Sequence, residues 1–263
     1  MIIDIHTHIF NEKTYQEYSA KVKGNALKVF VLHRYEFNLD KFMKFIDTKE
    51  NLFVVGSIDI NKDVAKQLSI HHRLFEKKKI FGVKLYPGYQ YFYPSDKNFF
   101  SIAKLCEKFN KPLIFHSGDV YDPKNKALLK YSHPIHIDEL AVRFPKCKII
   151  ISHFGFPYFL ETANIVSKNK NVYTDISGTI DETKTRKESR NRIKYYAKDL
   201  ERVFGYFPNI KSKVMSGTDF IGNDTPLNLV EPYMKVAEEV FSKKEQESVF
   251  YKLAEELFFK VAA

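Results

Sequence analysis

The chain has 263 residues, 44% of them hydrophobic, enough for one domain with a sizeable core and ordinary for a globular protein. Its two cysteines, Cys106 and Cys147, exclude a disulfide framework and read as reduced thiols of a cytoplasmic protein. No apolar run reaches the ~20 residues of a membrane span, and the start Met1-Ile2-Ile3-Asp4-Ile5 lacks the basic-then-apolar order of a signal peptide. The formal charge of +10 raises nucleic acid as a partner, but the basic residues are dispersed. Lys77-Lys78-Lys79 and the stretch from Lys184 to Arg192 read as solvated helix faces, so neither a nucleic acid nor a membrane is expected as a partner.

Short apolar, β-branched runs alternate along the chain with longer amphipathic stretches, the signature of βα units around a parallel sheet. The runs are Ile2–Ile5, Leu27–Leu32, Leu52–Ile58, Ile80–Tyr86, Pro112–Phe115, Lys148–Ser152, Val172–Asp175 and Val214–Gly217. Helical spacing fills the gaps: Leu39, Phe42, Met43 and Ile46; Val64, Leu68, Leu74 and Phe75; Phe100, Ala103 and Leu105; and Ser189 to Phe204. Lys243 to Val261 reads as one further amphipathic helix that closes the structure. Eight such units in a chain of this size predict an α/β fold, a (β/α)8 TIM barrel, with 1–263 as a single domain and an extra C-terminal helix.

In a barrel of this kind the chemistry sits at the carboxyl ends of the strands. The first run ends in His6-Thr7-His8, whose histidines, two apart on a strand, point to one face and can reach one ion. Asp4 shares that parity and is expected deeper in the barrel. The fifth run ends in His116, the sixth in His153 and the eighth in Asp219. A histidine ending an apolar strand is often a core residue bonded to backbone, and Asp219 could be a helix cap. Together they offer three imidazole nitrogens and a carboxylate, from His6, His8, His116 and Asp219, to one divalent transition metal. The set suits Zn²⁺ first and also Mn²⁺, Fe²⁺ or Co²⁺, with a second ion left open. Asp219 and His153 are the candidate proton-transfer groups.

Val83 and Leu85 should face the helices, which turns Lys84 and Tyr86 into the barrel. A buried lysine needs a partner or a modification. Three arrangements stay open: pairing with a carboxylate such as Asp59, contact with an anionic substrate, or carboxylation to bridge two metals. Arg34, after the second strand, and Gln90, after the fourth, join Lys84 and Tyr86 as candidate substrate-binding residues. Tyr89, Tyr91 and Tyr93 could line the mouth, whereas His133 and His136 read as peripheral and His71 and His72 as surface residues of a helix.

Several of these pieces resemble the amidohydrolase superfamily, in its amidohydrolase-related branch that includes aminocarboxymuconate semialdehyde decarboxylase. They are Ile3-Asp4-Ile5-His6-Thr7-His8-Ile9-Phe10, Gly82-Val83-Lys84-Leu85-Tyr86-Pro87, Phe115-His116-Ser117-Gly118, Ser152-His153-Phe154-Gly155, Thr174-Asp175-Ile176-Ser177 and Ser216-Gly217-Thr218-Asp219-Phe220. The resemblance implies that His6, His8, His116 and Asp219 bind the metal and that His153 is catalytic or a further ligand. Tyr86 departs from it, standing where a histidine is common. So does Leu253-Ala254-Glu255-Glu256-Leu257-Phe258, in place of the usual Asn-Ala-x-Arg-Leu-Phe. The expected activity is hydrolysis of a C–N or C–O bond of a small molecule, an amide, ester or lactone. Non-oxidative decarboxylation on the same scaffold is the alternative, and a non-catalytic binding protein and a metal-dependent nuclease are weaker ones. A homodimer is compatible with the sequence.

Overall fold

The computed structural model describes residues 2–22, 24, 28–120, 126–180, 186–222 and 230–260. Leu27, Lys184 and Val261, which bound segments named above, lie outside them. Eight parallel strands form one sheet in sequence order: β1 (Ile3–Thr7), β2 (Lys28–Leu32), β3 (Leu52–Ser57), β4 (Val83–Leu85), β5 (Leu113–Phe115), β6 (Ile149–Ile151), β7 (Val172–Asp175) and β8 (Val214–Met215). A parallel bridge between Thr7 and Phe220 closes the ring, supported by backbone bonds from Ile5 to Ser216, from Asp219 to His6 and from His8 to Phe220.

The helices are α1 (Glu12–Val22), α2 (Leu39–Ile46), α3 (Val64–Glu76), α4 (Pro87–Gln90), α5 (Phe100–Lys108) and α6 (Leu129–Ser132). They continue with α7 (His136–Arg143), α8 (Phe159–Lys168), α9 (Arg186–Tyr206), α10 (Val230–Val240) and α11 (Lys243–Glu247). Caps set several boundaries: Asn38 and Asp63 accept from the third backbone N–H of α2 and α3, and Ser242 with Glu245 makes a reciprocal capping box on α11. None of the helices among the described residues is long and apolar enough to cross a membrane. Cys106 and Cys147 are buried free thiols.

Two apolar layers follow from the strand alternation. Val29, Val31, Val83, Leu85, Leu113, Phe115, Ile149 and Ile151 pack outward against the helices. Ile3, Ile5, Phe30, Leu32, Val55, Ile114, Ile150 and Met215 fill the barrel, plugged from below by Leu253, Leu257 and Phe258. The plug corrects the expectation of one continuous α-helix: after α11 the chain makes two π-helical turns, Ser248–Lys252 and Glu255–Phe259. The wider turn is rare and comes mostly as single turns of this length. Here Lys111 donates to the Phe258 carbonyl, and Lys148 donates to that of Leu257 at 3.3 Å.

Two further expectations are corrected. Asp4 does not point into the barrel. Its neighbours Ile3 and Ile5 do, and Asp4 instead accepts from the Tyr18 hydroxyl of α1 at 2.8 Å and from the Thr218 hydroxyl at 2.7 Å. The β1–β2 register shifts between Asp4 and Thr7, and such an irregularity breaks the strict alternation. His71 is buried rather than at the surface: it lies on the inner face of α3, packs over Gly56 of β3 and has Nδ1 at 2.9 Å from the Gln67 carbonyl.

Candidate metal centre and active site

The ends of β1, β6, β7 and β8 converge on one polar cluster. His6 Nε2 and His8 Nε2 each lie 3.4 Å from Asp219 Oδ1. The ring of His153 is 4.7 Å from that of His6, and ligand atoms of His6, His153 and Asp219 all fall within 4.8 Å of one another. His6 and His8 are buried, and Asp219 keeps 22% of its side chain open to the mouth. His116 is a neighbour and not part of that group. Its ring is 5.1 Å from that of His153, but its Nε2 bonds the Asp119 carbonyl at 2.9 Å.

The backbone is bent to make this cluster. His153 and Asp219 have φ of 60° and 54°, in the left-handed region that non-glycine residues rarely enter, and Phe154 follows His153 there at 49°. Such conformations concentrate at functional sites. Two glycines give the room: a Cβ on Gly178, itself at φ +76°, would sit 2.4 Å from His153 Nδ1, and one on Gly217 would sit 2.7 Å from the Cβ of His6.

Around the cluster lies a second set of groups to which sequence reasoning assigns no role. Asp175, fully buried at the end of β7, faces His6 Nδ1 with Oδ2 at 3.2 Å and takes the Ser177 hydroxyl on Oδ1 at 2.5 Å. Burial opposes its charge, but His6, His153 and the Ser177 hydrogen bond outweigh it and hold the carboxyl well below the usual carboxylate range. Asp4 ties β1 to the segment carrying Asp219, accepting also from the backbone N–H of His6 at 3.2 Å and of Thr218 at 3.0 Å. Both carboxylates stand beside motif residues, and a polar side chain ending the apolar strand Val172–Asp175 was the available signal for the first.

The donor chemistry fits a cation. His8 Nδ1 faces the Leu32 carbonyl at 3.2 Å and His6 Nδ1 faces Asp175, so with its hydrogen on Nδ1 each ring presents Nε2 toward Asp219. Burial pushes the His6 pKa down to about 3, with Lys84 adding to the effect. The Asp219 carboxyl lies well below the usual carboxylate range, because at acid pH its pairing with the protonated rings of His153 and His6 outweighs its burial. Two imidazole nitrogens and a carboxylate oxygen meeting at one point form a donor set that suits a divalent metal ion.

Lys84 points into the barrel as its parity requires, fully buried, with Nζ 2.5 Å from Ser152 Oγ and 5.6 Å above the Tyr86 ring. Its partner is not Asp59, which pairs with Lys62 at 2.9 Å and accepts from Gln90 at 3.3 Å. Burial lowers the Lys84 pKa to about 8, with Asp175 and Asp219 opposing. Tyr86 donates to the His33 carbonyl at 3.1 Å and, with Tyr35, Tyr89 and His116, forms an aromatic wall at the mouth. Arg34 is bound to Glu36 at 3.0 Å, both 44% exposed, and Gln90 is turned to Asp59 and the Ile58 carbonyl, away from the cluster. Tyr91 and Tyr93 pack on Tyr131, while His133 and His136 lie against Tyr158 and Tyr93.

A parallel barrel with histidines and an aspartate gathered at its carboxyl face defines a TIM barrel whose candidate active site lies where such barrels carry their chemistry. The model of the Amidohydrolase family matches residues 46–260, and the chain belongs to that family. No curated protein matches it by sequence. Among solved structures it is similar to a TIM-barrel protein from Bordetella bronchiseptica, at 16% identity over 97% of each chain with a TM-score of 0.68. It is also similar to a probable 2-pyrone-4,6-dicarboxylic acid hydrolase from Acinetobacter baumannii with citric acid bound, at 14% identity over 98% of each chain and a TM-score of 0.67. An amidohydrolase from Burkholderia multivorans with bound zinc is 13% identical over 98% of each chain, with a TM-score of 0.62. At these identities the likeness is one of fold.

Proposed function

We propose that the protein is a metal-dependent hydrolase of a C–N or C–O bond in a small molecule, an amide, ester or lactone. The observation that carries this reading is the meeting of His6 Nε2, His8 Nε2 and Asp219 Oδ1 at 3.4 Å, with His153 alongside. His6, His8 and Asp219 would hold a divalent ion, Zn²⁺ before Mn²⁺, Fe²⁺ or Co²⁺, and His116 would join by releasing the Asp119 carbonyl. When bound, the ion supplies a Lewis acid that polarises a carbonyl and acidifies water.

The chain's own groups do the rest. Asp219, ionised and partly open to the mouth, accepts the proton of the attacking water. His153 takes a proton on Nε2 and delivers it to the leaving group. Tyr86 and Tyr89 present an aromatic face to the substrate. Arg34 exchanges Glu36 for a substrate carboxylate, and Lys84 adds positive potential from beneath, with Gln90 bracing the loop. The zinc of the Burkholderia relative and the substrate named for the Acinetobacter relative support hydrolysis as the reading.

The test is metal-free protein, prepared by chelation and reloaded with Zn²⁺, assayed on lactone, ester and amide panels in ¹⁸O-labelled water. Zn²⁺ should raise the unfolding temperature, since a ligand of the folded state alone adds stability, and should restore turnover with ¹⁸O in the product. Absence of any stability response to Zn²⁺, Mn²⁺ or Co²⁺ would reject the metal. Carbon dioxide release without ¹⁸O incorporation would replace hydrolysis by decarboxylation.

A further inference from the structure

Two histidines of the cluster share one small set of polar neighbours, and a count of protons settles their state. Asp175 Oδ1 accepts from the backbone N–H groups of His153 and Ser177, each at 3.0 Å, and lies 2.5 Å from the Ser177 hydroxyl. Asp175 Oδ2 lies 3.2 Å from His6 Nδ1. The same hydroxyl oxygen is 3.1 Å from His6 Nδ1 and 3.0 Å from His153 Nδ1, and the Ser177 carbonyl is 3.3 Å from His153 Nδ1.

An ionised carboxylate can only accept, so the single hydroxyl hydrogen of Ser177 is committed to Asp175. His6 Nδ1 then faces a carboxylate oxygen and a hydroxyl lone pair. His153 Nδ1 faces the other hydroxyl lone pair and a carbonyl. Neither nitrogen meets a donor, so each must supply the hydrogen itself.

We infer that Asp175 and Ser177 are positioning residues that fix a hydrogen on Nδ1 of both His6 and His153, so that Nε2 of each ring is the atom left for a metal or a transferred proton. For His6 this makes Nε2, which faces Asp219 Oδ1, the ligand atom when a metal is bound. For His153 it leaves Nε2 as the ring atom through which a proton is exchanged with water or substrate. The Nδ1 hydrogens follow from hydrogen bonding alone, and only their use in turnover rests on the hydrolytic reading.

The experiment is a long-range ¹H–¹⁵N correlation spectrum of the histidine rings in metal-free, ¹⁵N-labelled protein at pH 8. It needs no substrate, so its failure is separate from any failure of the proposed reaction. Both rings should show a protonated Nδ1. In Asp175→Asn, three donors still point at the Oδ1 position, so the amide oxygen must take that place. The amide NH₂ then replaces Oδ2 and offers a hydrogen to His6 Nδ1. His6 should switch to the Nε2–H form, the wrong-tautomer effect expected when an amide replaces a histidine-orienting carboxylate. Affinity for added Zn²⁺ should fall by about 10–100-fold.

Ser177→Ala keeps Asp175 Oδ2 opposite His6, so His6 should stay Nδ1–H in that variant. A bare Nδ1 on either ring of the unsubstituted protein overturns the inference, and so does a His6 that keeps Nδ1–H in Asp175→Asn. Should Asp175→Asn fail to fold, the spectra of the unsubstituted protein and of Ser177→Ala decide alone.

Discussion

His153 occupies a backbone conformation that costs of order 1–3 kcal/mol in a residue with a side chain. Gly178 has to lack a Cβ for the ring to sit where it does. A position so constrained, with its ring 4.7 Å from His6 and 5.1 Å from His116, is expected to serve chemistry before packing. His153→Ala should therefore cut turnover by at least ~100-fold, the scale of lost acid–base assistance. It should leave bound metal in place, because His6, His8 and Asp219 remain. Steady-state kinetics with metal analysis on the same sample checks both halves. Loss of a second equivalent of metal in that variant would assign His153 to ligation of another ion.

Among the elements, the strands were legible because a parallel barrel buries them on both faces, so each appears as an apolar run whose polar terminus marks the site. That reasoning reaches His6, His8, His153 and Asp219. It does not reach the register shift in β1, because side-chain alternation carries no sign of an irregularity, and so Asp4 is turned to the wrong layer. Nor does it reach the pairing of Lys84 with Ser152, which depends on register across β4, β5 and β6. His71 was within reach: Leu68, His71 and Phe75 lie three and four apart, on one face of α3. The π-turned plug below the barrel has no local signature, yet its energetics are simple. Phe258 is fully buried with its ring 4.1 Å from Phe30. Phe258→Ala should cost about 3–5 kcal/mol of unfolding free energy in urea. Zn²⁺ affinity should be unchanged, because the plug lies at the end of the barrel opposite the cluster. A parallel loss of metal affinity would show that plug and site are coupled.

For the molecule as a whole, buried neutral histidines make folding sensitive to acid. His33 and His71 lie between the strands and α2 and α3, outside the metal cluster. His33 Nδ1 is 2.8 Å from the Ser57 hydroxyl, and no carboxylate pairs with either ring among the described contacts. Burial pushes the His33 pKa from 6.5 down to about 4, with His71 adding to the effect, and burial lowers His71 as well. Between pH 6.5 and about 4 the unfolded chain therefore binds a proton that the folded chain refuses. Stability from His33 is full above the unfolded pKa and is lost as the pH falls through this window. At about 1.4 kcal/mol per unit, the total is about 3 kcal/mol. Most of it, about 2 kcal/mol, disappears between pH 7 and pH 5. Asp4 works in the opposite direction, since burial raises its carboxyl to about 6, so the total slope is a poor readout. The comparison of metal-free protein with His33→Gln isolates the effect. Urea unfolding at the two pH values should show the unsubstituted protein losing about 2 kcal/mol more than the variant. Equal losses in the two proteins would mean that His33 accepts its proton in the folded barrel without cost.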